Sequence, residues 1–302
     1  MPEAQHILHL YGAASQAEIV NFLRTQCEFG NQDELKSVID GWRSAAERFA
    51  QITSGFEDLP ESIKVSSVPK EFKTTLEDLE REPLFSNTFS LIPHSVEIVE
   101  IDKLVAGQRY VNLDHIKRIE STIPESPTLK SLINFCLKTG PPPPVPTDLQ
   151  LAPNVYSYKS ESTDFRFIGG YPKKLTEDDI RICLGGGQPV AGIMLFVGYG
   201  SPAINVFKVG QRYILNNGFH RAFALRKRGV DQIPVVVQNI SNWNLELPPI
   251  LVGLPTAYLV TTRRPSLVKD FFDPDISHPL LMKNRDRSVQ IQWNVNQLDI
   301  PK

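Results

Sequence analysis

One stretch constrains the fold of this chain more than any other: Gln211 to Val237, QRYILNNGFHRAFALRKRGVDQIPVVV. Gln211–Leu215 reads as a strand. Asn216-Asn217-Gly218 follows, a turn able to accept positive φ. A helix is expected from Phe219, with Ala222, Phe223 and Leu225 available for packing. Arg226, Lys227 and Arg228 crowd its last turn, where cations favour the macrodipole, and Gly229 stands where a helix stops. Ile233–Val237 is a second strand, entered through Pro234. Strand, turn, helix and strand in so short a span point to an α+β fold with the helix packed on the sheet.

The chemistry lies at the front of that helix. N–H groups there lack helical acceptors, and a His-Arg pair beside them makes an anion site. Arg221 can present a fork of donors to a phosphate or carboxylate. His220 can donate, accept or titrate near neutral pH. The competing reading is a cap turn with an ordinary surface arginine.

The order and spacing of Gly218-Phe219-His220-Arg221-Ala222-Phe223-Ala224, then Gly229 and Ile233-Pro234-Val235, resemble the second conserved block of the ParB/sulfiredoxin superfamily. Val96–Leu104, Gln108-Arg109 and a helix over Asp114–Ser121 look like its first block. The resemblance covers residues 94–122 and 190–240. It implies two blocks that face one another and bind the phosphates of a nucleotide; the cofactor is left open, a nucleotide with Mg²⁺ being the candidate. Gly218, His220 and Arg221 would form the cradle, and Gln108 and Arg109 would close it. The departures are specific. Phe219 stands where sulfiredoxin has its catalytic cysteine. Phe219 and His220 stand where the CTP-hydrolysing partition proteins have glutamate and arginine. Gln108 or a neighbour lies where the free-serine kinases carry a catalytic glutamate, and an amide cannot act as a carboxylate base. Glu97 and Glu100, upstream, are poor substitutes. No helix-turn-helix follows the second block.

The remaining chain divides by pattern. Residues 1–55 read as a helical segment. Ser15 and Glu18 have capping-box spacing ahead of Ile19, Phe22 and Leu23. A second helix begins at Asn31–Asp33, with Leu35, Val38, Ile39, Trp42, Ala45, Ala46 and Phe49 on one face. That stripe either packs on the rest of the chain or forms the seam of a homodimer. Residues 56–93, punctuated by Pro60, Pro69, Pro83 and Pro93, read as a linker with a short helix at Leu76–Glu82. By the resemblance, residues 94–240 would be the ParB/sulfiredoxin-like core, interrupted by an inserted block at about 123–189. PPPPVP at 141–146 is expected to be a stiff, extended connector. Val155–Tyr158 and Phe165–Ile168 read as strands, Gly169-Gly170 as a turn, Gly185–Gly187 as another turn, and Val190–Val197 as a buried strand. Residues 241–302 form a proline-rich extension, with a strand at Thr256–Thr262. In it Arg263-Arg264 is expected in solvent, and Phe271-Phe272 packs on the core or meets a partner.

Charge and composition narrow the function. Lys+Arg is 32 and Asp+Glu 34, for a net charge of −2, which does not advertise nucleic acid as a partner. Three cysteines, widely spaced, suit a reducing compartment, and MPEAQHILHLYGAAS lacks the features of a secretory signal. A cytoplasmic location without membrane attachment is therefore expected. The leading expectation is a binding protein that reuses the superfamily cleft without its standard catalytic residue. Its ligand would be a nucleotide, another anion or a peptide, as for a peptide-binding partner in a biosynthetic pathway. The alternatives are a small-molecule kinase or nucleotide hydrolase with a relocated carboxylate, and a DNA-binding ParB-like protein.

Overall fold

A computed structural model describes residues 4–55, 59–137, 145–160, 165–181, 187–199, 202–284 and 287–298. The fold is mixed α+β with several sheets. The chain divides into two compact units, Met1–Gly140 with Ser201–Asn284, and Pro141–Gly200 with Arg285–Lys302.

The first unit opens with β1 (Gln5–His9), α1 (Gln16–Gln26) and α2 (Gln32–Ser54). It continues through β2 (Val65–Ser67), α3 (Lys73–Arg81), α4 (Pro83–Phe89), β3 (His94–Glu100), β4 (Val105–Ala106), β5 (Tyr110–Asn112), α5 (Leu113–Glu120) and α6 (Leu129–Leu137). The second unit holds β6 (Thr147–Ala152), β7 (Val155–Ser160), β8 (Phe165–Lys173), α7 (Glu177–Arg181) and β9 (Gly192–Tyr199). The first unit resumes with β10 (Asn205–Val209), β11 (Arg212–Asn217), α8 (Phe219–Lys227), β12 (Gln232–Ile240), α9 (Trp243–Glu246), β13 (Ile250–Leu251), β14 (Leu254–Pro255), α10 (Thr256–Thr261) and β15 (His278–Met282). The final strand, β16 (Arg287–Gln292), belongs to the second unit.

A six-stranded sheet organises the first unit, in the order β2-β3-β12-β10-β11-β4. The three strands expected from sequence at Val96–Ile101, Gln211–Leu215 and Ile233–Val237 all fall in it. β12 runs antiparallel to β3 and parallel to β10, and β4 runs parallel to β11. Val235, Val236 and Val237 are fully buried, as are Ala222, Ala224 and Leu225 of α8. The alanines let α8 approach α5, whose Ile116 is buried in the same core.

The N-terminal helices begin where their caps predict. Ser15 and Glu18 form a reciprocal capping box, and Asn31 accepts from the Glu34 N–H to start α2. The α2 stripe packs within the chain: Leu35, Val38, Ile39 and Trp42 lie against a cluster containing Ala45, Ile19 and Leu23. The Trp42 indole donates to the Ala14 carbonyl at 3.0 Å.

Several local expectations give way to tertiary pairing. Residues 5–9, expected in a helical segment, are the central strand of a second sheet, β15-β1-β5. Five residues suffice there because β1 pairs on both edges. Residues 56–93, read as linker, hold β2, α3 and α4, and Phe85 and Phe89 are buried in the main core. Thr256–Thr261 is a helix rather than a strand, with Leu259 buried. Arg264 is not in solvent: it is buried against Asp270, NH2 to Oδ1 at 2.8 Å. Phe271 and Phe272 both lie against Phe223 of α8, so they serve packing.

In the second unit, β16-β7-β6 form one sheet and β8-β9 another. Gly169 and Gly170 lie inside β8, at a register shift, rather than in a turn. There Gly170 opposes Leu195, whose side chain occupies the space that a Cβ would need. The strand expected near Val190–Val197 forms, but Ile193, Leu195 and Phe196 are exposed. Residues 141–144 of the proline run, Gly185, Gly186 and Cys183 lie outside the described residues. Among the described residues, no helix is long and apolar enough to cross a membrane.

Candidate functional site

The glycine turn is built for one residue type. Gly218 has φ 95°, and a Cβ there would lie 2.7 Å from Cγ1 of Ile204. Both the backbone and the space demand glycine. Its N–H donates to Asn217 Oδ1 at 2.7 Å, and its carbonyl accepts from the Ala222 N–H to begin α8. The N–H groups of Phe219 and His220 precede the helical ladder. The far end of α8 is pinned. Gly229, at φ 81°, donates to Arg226, and Val230 donates to Leu225. Arg226 grips Asp102 with Nε–Oδ1 at 2.6 Å and NH2–Oδ2 at 3.0 Å, and Lys227 reaches Glu120 at 2.8 Å. The basic last turn therefore fastens α8 to the β3–β4 connection and to α5.

The two sequence blocks adjoin at the front of α8. Leu215 pairs with Ala106 across parallel β11 and β4. The strands leave the sheet in the same direction, so Gly107-Gln108-Arg109 emerges beside Asn216-Asn217-Gly218. His220 links the blocks: its Nε2 accepts from the Asn112 main-chain N–H at 3.0 Å. Asn112 in turn caps α5, its Oδ1 accepting from the His115 N–H at 2.8 Å. Burial, reinforced by His115, pushes the His220 pKa down to about 3. The ring is neutral, keeps its proton on Nδ1, and brings no charge to the turn. His115, edge-on to it at 5.0 Å, is also lowered, by burial and then by Arg118 and Arg221.

Arg221 has a different task from the one its position suggests. Its NH1 donates to the carbonyls of Phe135, at 3.1 Å, and Cys136, at 3.4 Å, and its NH2 donates to the Pro202 carbonyl. These carbonyls mark where the chain leaves the first unit and where it returns. The same junction is closed by the Ile204 N–H, which donates to Cys136 at 2.7 Å. The guanidinium thus clasps the base of the excursion and covers carbonyls at the end of α6.

Gln108 and Arg109 present the opposite case. Gln108 Nε2 and Arg109 NH1 are buried and have no hydrogen-bond partner. The Arg109 guanidinium stands 5.3 Å from the Tyr258 ring centroid. It also acts on His9, whose pKa falls to about 3 through burial first and Arg109 second. His9 Nδ1 is a further buried atom without a partner. Sequence reasoning missed His9, which carries no motif. Its involvement follows from the pairing of β1 with β5, which sets His9 opposite Tyr110.

Glu97, the upstream carboxylate, is engaged in the sheet. Glu97 accepts from the Tyr213 hydroxyl at 2.8 Å and from Ser95 at 3.1 Å. Among the described residues no three His, Cys, Asp or Glu side chains cluster as a metal site. Two cavities, of about 360 and 590 Å³, flank Phe29 at the α1–α2 turn, and none of the five candidate residues lines either. No protein-family model matches the chain, and neither a curated protein nor a solved structure matches it.

Proposed function

We propose that the protein is a binding protein with a ParB/sulfiredoxin-like core, whose cleft takes an anionic ligand without the superfamily's catalytic residue. The ligand is a nucleotide, another phosphate-bearing anion, or the carboxylate of a peptide. Supporting the core assignment are the strand–turn–helix–strand order of β11, α8 and β12, the pairing of β3 with β12, and the link from His220 to Asn112.

The observation that carries the reading is the pair of buried, unpartnered donors, Gln108 Nε2 and Arg109 NH1. The Arg109 charge acts on the Glu18 carboxylate, but its buried NH1 has no acceptor; a buried donor left so is costly, and an anion relieves that cost. In this reading Gln108, Arg109 and the first N–H groups of α8 hold the anion. Gly218 shapes the turn, His220 positions α5 as a neutral acceptor, and Arg221 secures the scaffold. The donor set suits phosphate or carboxylate oxygens rather than a metal ion, so no residue of the turn is assigned to Mg²⁺.

The test is calorimetric titration with CTP, ATP, inorganic pyrophosphate and acidic peptides, each with and without Mg²⁺. Arg109→Ala is expected to weaken the binding found by roughly tenfold to a hundredfold. Absence of binding by every one of these probes would overturn the reading, as would affinity that ignores Arg109→Ala and Gln108→Leu together.

A further inference from the structure

The loop carrying the unpartnered donors lies under a small hairpin. β13 and β14 pair Leu251 with Leu254, which leaves Val252-Gly253 as a two-residue turn. Both turn residues have positive φ, 55° at Val252 and 113° at Gly253. That geometry favours Asn-Gly. A β-branched residue there is strained, and Val252 is the one non-glycine residue with positive φ among those described. Its side chain presses on the loop: a Cβ on Gly107 would lie 3.2 Å from Val252 Cβ. It also bridges the central core and the cluster around Leu251, Leu254 and Leu259.

A fixed wall continues along the loop. Tyr258, on α10, lies over Arg109. The base of the hairpin is pinned at Thr256, whose N–H donates to Pro249 at 2.9 Å and whose hydroxyl donates to the Pro248 carbonyl. The tip therefore combines a strained residue above with unsatisfied donors below; opening the turn relieves the strain at Val252 and frees the donors to meet a partner, against the cost of uncovering Leu251 and Leu254. We propose that residues 250–255 are a displaceable cover over Gly107-Gln108-Arg109, hinged at Thr256, with Tyr258 as a fixed wall whose hydroxyl accepts from the Ser266 N–H, and that an anion reaches Gln108 and Arg109 when the tip lifts. This deepens the anion-binding reading by adding control of access to the same site.

Two measurements on the full chain separate the cover from the ligand. The first needs no ligand. A thiol reagent is applied to a Gln108→Cys variant, alone and with Val252→Asn. The thiol is expected to react far more slowly than an exposed cysteine, and Val252→Asn, which removes the strain from the closed turn, is expected to slow it by a further roughly fivefold. Val252→Asp, which gives an Asp-Gly turn, serves as a second strain-relieving variant, and Arg109→Cys as a second reporter. A thiol that reacts at the exposed rate, or a gated rate that both Val252 variants leave unchanged, overturns the cover. The second measurement uses Gly107→Cys with Val252→Cys, whose Cβ atoms would sit near the disulfide range of about 3.5–4.5 Å. Oxidation is expected to weaken pyrophosphate or CTP binding at least tenfold, with recovery on reduction. Equal binding by oxidised and reduced protein overturns the cover and leaves the anion reading standing. Gated labelling without binding of pyrophosphate, CTP, ATP or acidic peptide supports the cover and overturns the anion reading.

Discussion

β12 and β9 are similar sequences with opposite fates. β12 (QIPVVVQNI) and β9 (GIMLFVGY) are both largely apolar runs of strand length. In the first unit, Val235, Val236 and Val237 are fully buried, because β12 lies between β3 and β10 and both its faces are covered. In the second unit, Ile193 is 76% exposed and Leu195 and Phe196 are each 41% exposed. β9 pairs with β8 in a two-stranded sheet, and among the described residues no third strand extends it. The difference teaches that an apolar run specifies a strand but not its depth. Depth comes from the number of layers and neighbours, which is a property of the whole fold.

The sharpest way to break this comparison is to put a charge in each strand. Val236→Asp buries a carboxylate with no partner in the middle of the central sheet. It is expected to cost more than about 4 kcal/mol and to abolish cooperative unfolding of the first unit. Ile193→Asp, on the exposed face of β9, is expected to change stability by less than about 0.5 kcal/mol. Thermal unfolding of both variants, followed by circular dichroism, decides it. Similar losses at the two positions would mean that β9 is buried in the working protein.

A second pair of substitutions compares glycines. Gly218→Ala must hold φ 95° and push its Cβ into Ile204, so a loss of about 3 kcal/mol is expected. Gly187, in the second unit, has no atom within 4 Å of an added Cβ and no positive φ in the left-handed region. Gly187→Ala is expected to be neutral within about 0.5 kcal/mol. Chemical denaturation midpoints measure both.

Arg221 comes next in size. Removing it leaves the carbonyls of Phe135, Cys136 and Pro202 without this donor. Arg221→Ala is expected to cost about 2 kcal/mol, which at this unit's size lowers Tm by roughly 4–8 °C. Arg221→Lys keeps the charge but not the fork, and should recover only part of the loss. A normal Tm with lost anion binding would reverse the assignment and return Arg221 to the ligand site.

What was legible in sequence was local. Ser15 and Glu18 announced their helix three residues apart, and Gly218 through Gly229 announced turn, helix and stop, because caps and turns are decided by neighbours in the chain. Non-local partners were not legible. The acceptors of Arg221 lie near residues 135 and 202, and the amide held by His220 is at Asn112. The strand at Gln5–His9 exists because β15 and β5 flank it, although its five residues sit next to strong helix signals. α10 overrode the β-branched and aromatic character of Thr-Ala-Tyr-Leu-Val-Thr by burying Leu259. The hairpin at Val252-Gly253 was hidden for the opposite reason, since valine is the wrong residue to advertise its turn.

Acid provides the finest contrast between the units. All six histidines, at positions 6, 9, 94, 115, 220 and 278, belong to the first unit. His9 and His220 have pKa values pushed down to about 3 from an ordinary 6.5, chiefly by burial. Between pH 6.5 and 3 the unfolded chain therefore holds protons on these rings that the native protein does not. More protons on the unfolded side means that stability rises with pH across this window and falls as pH is lowered through it. The stabilising contribution is complete above the unfolded value and is lost progressively toward about pH 3. From pH 7 to pH 6 the two rings together should remove about 1.4 kcal/mol. Amide hydrogen exchange corrected for intrinsic rates is the suitable readout, because it resolves the units separately. Protection in β12 and α8 should weaken over that single pH unit, while β7 and β16, in a unit without histidine, should not respond to it. His220→Asn, which supplies a neutral acceptor for the Asn112 amide and cannot titrate, should remove part of the slope, the remainder belonging to His9 and to His115 and His278, whose pKa values burial also lowers. An equal response in both units, or a slope undiminished in a variant combining His220→Asn with His9→Phe, would show that other groups govern the acid response.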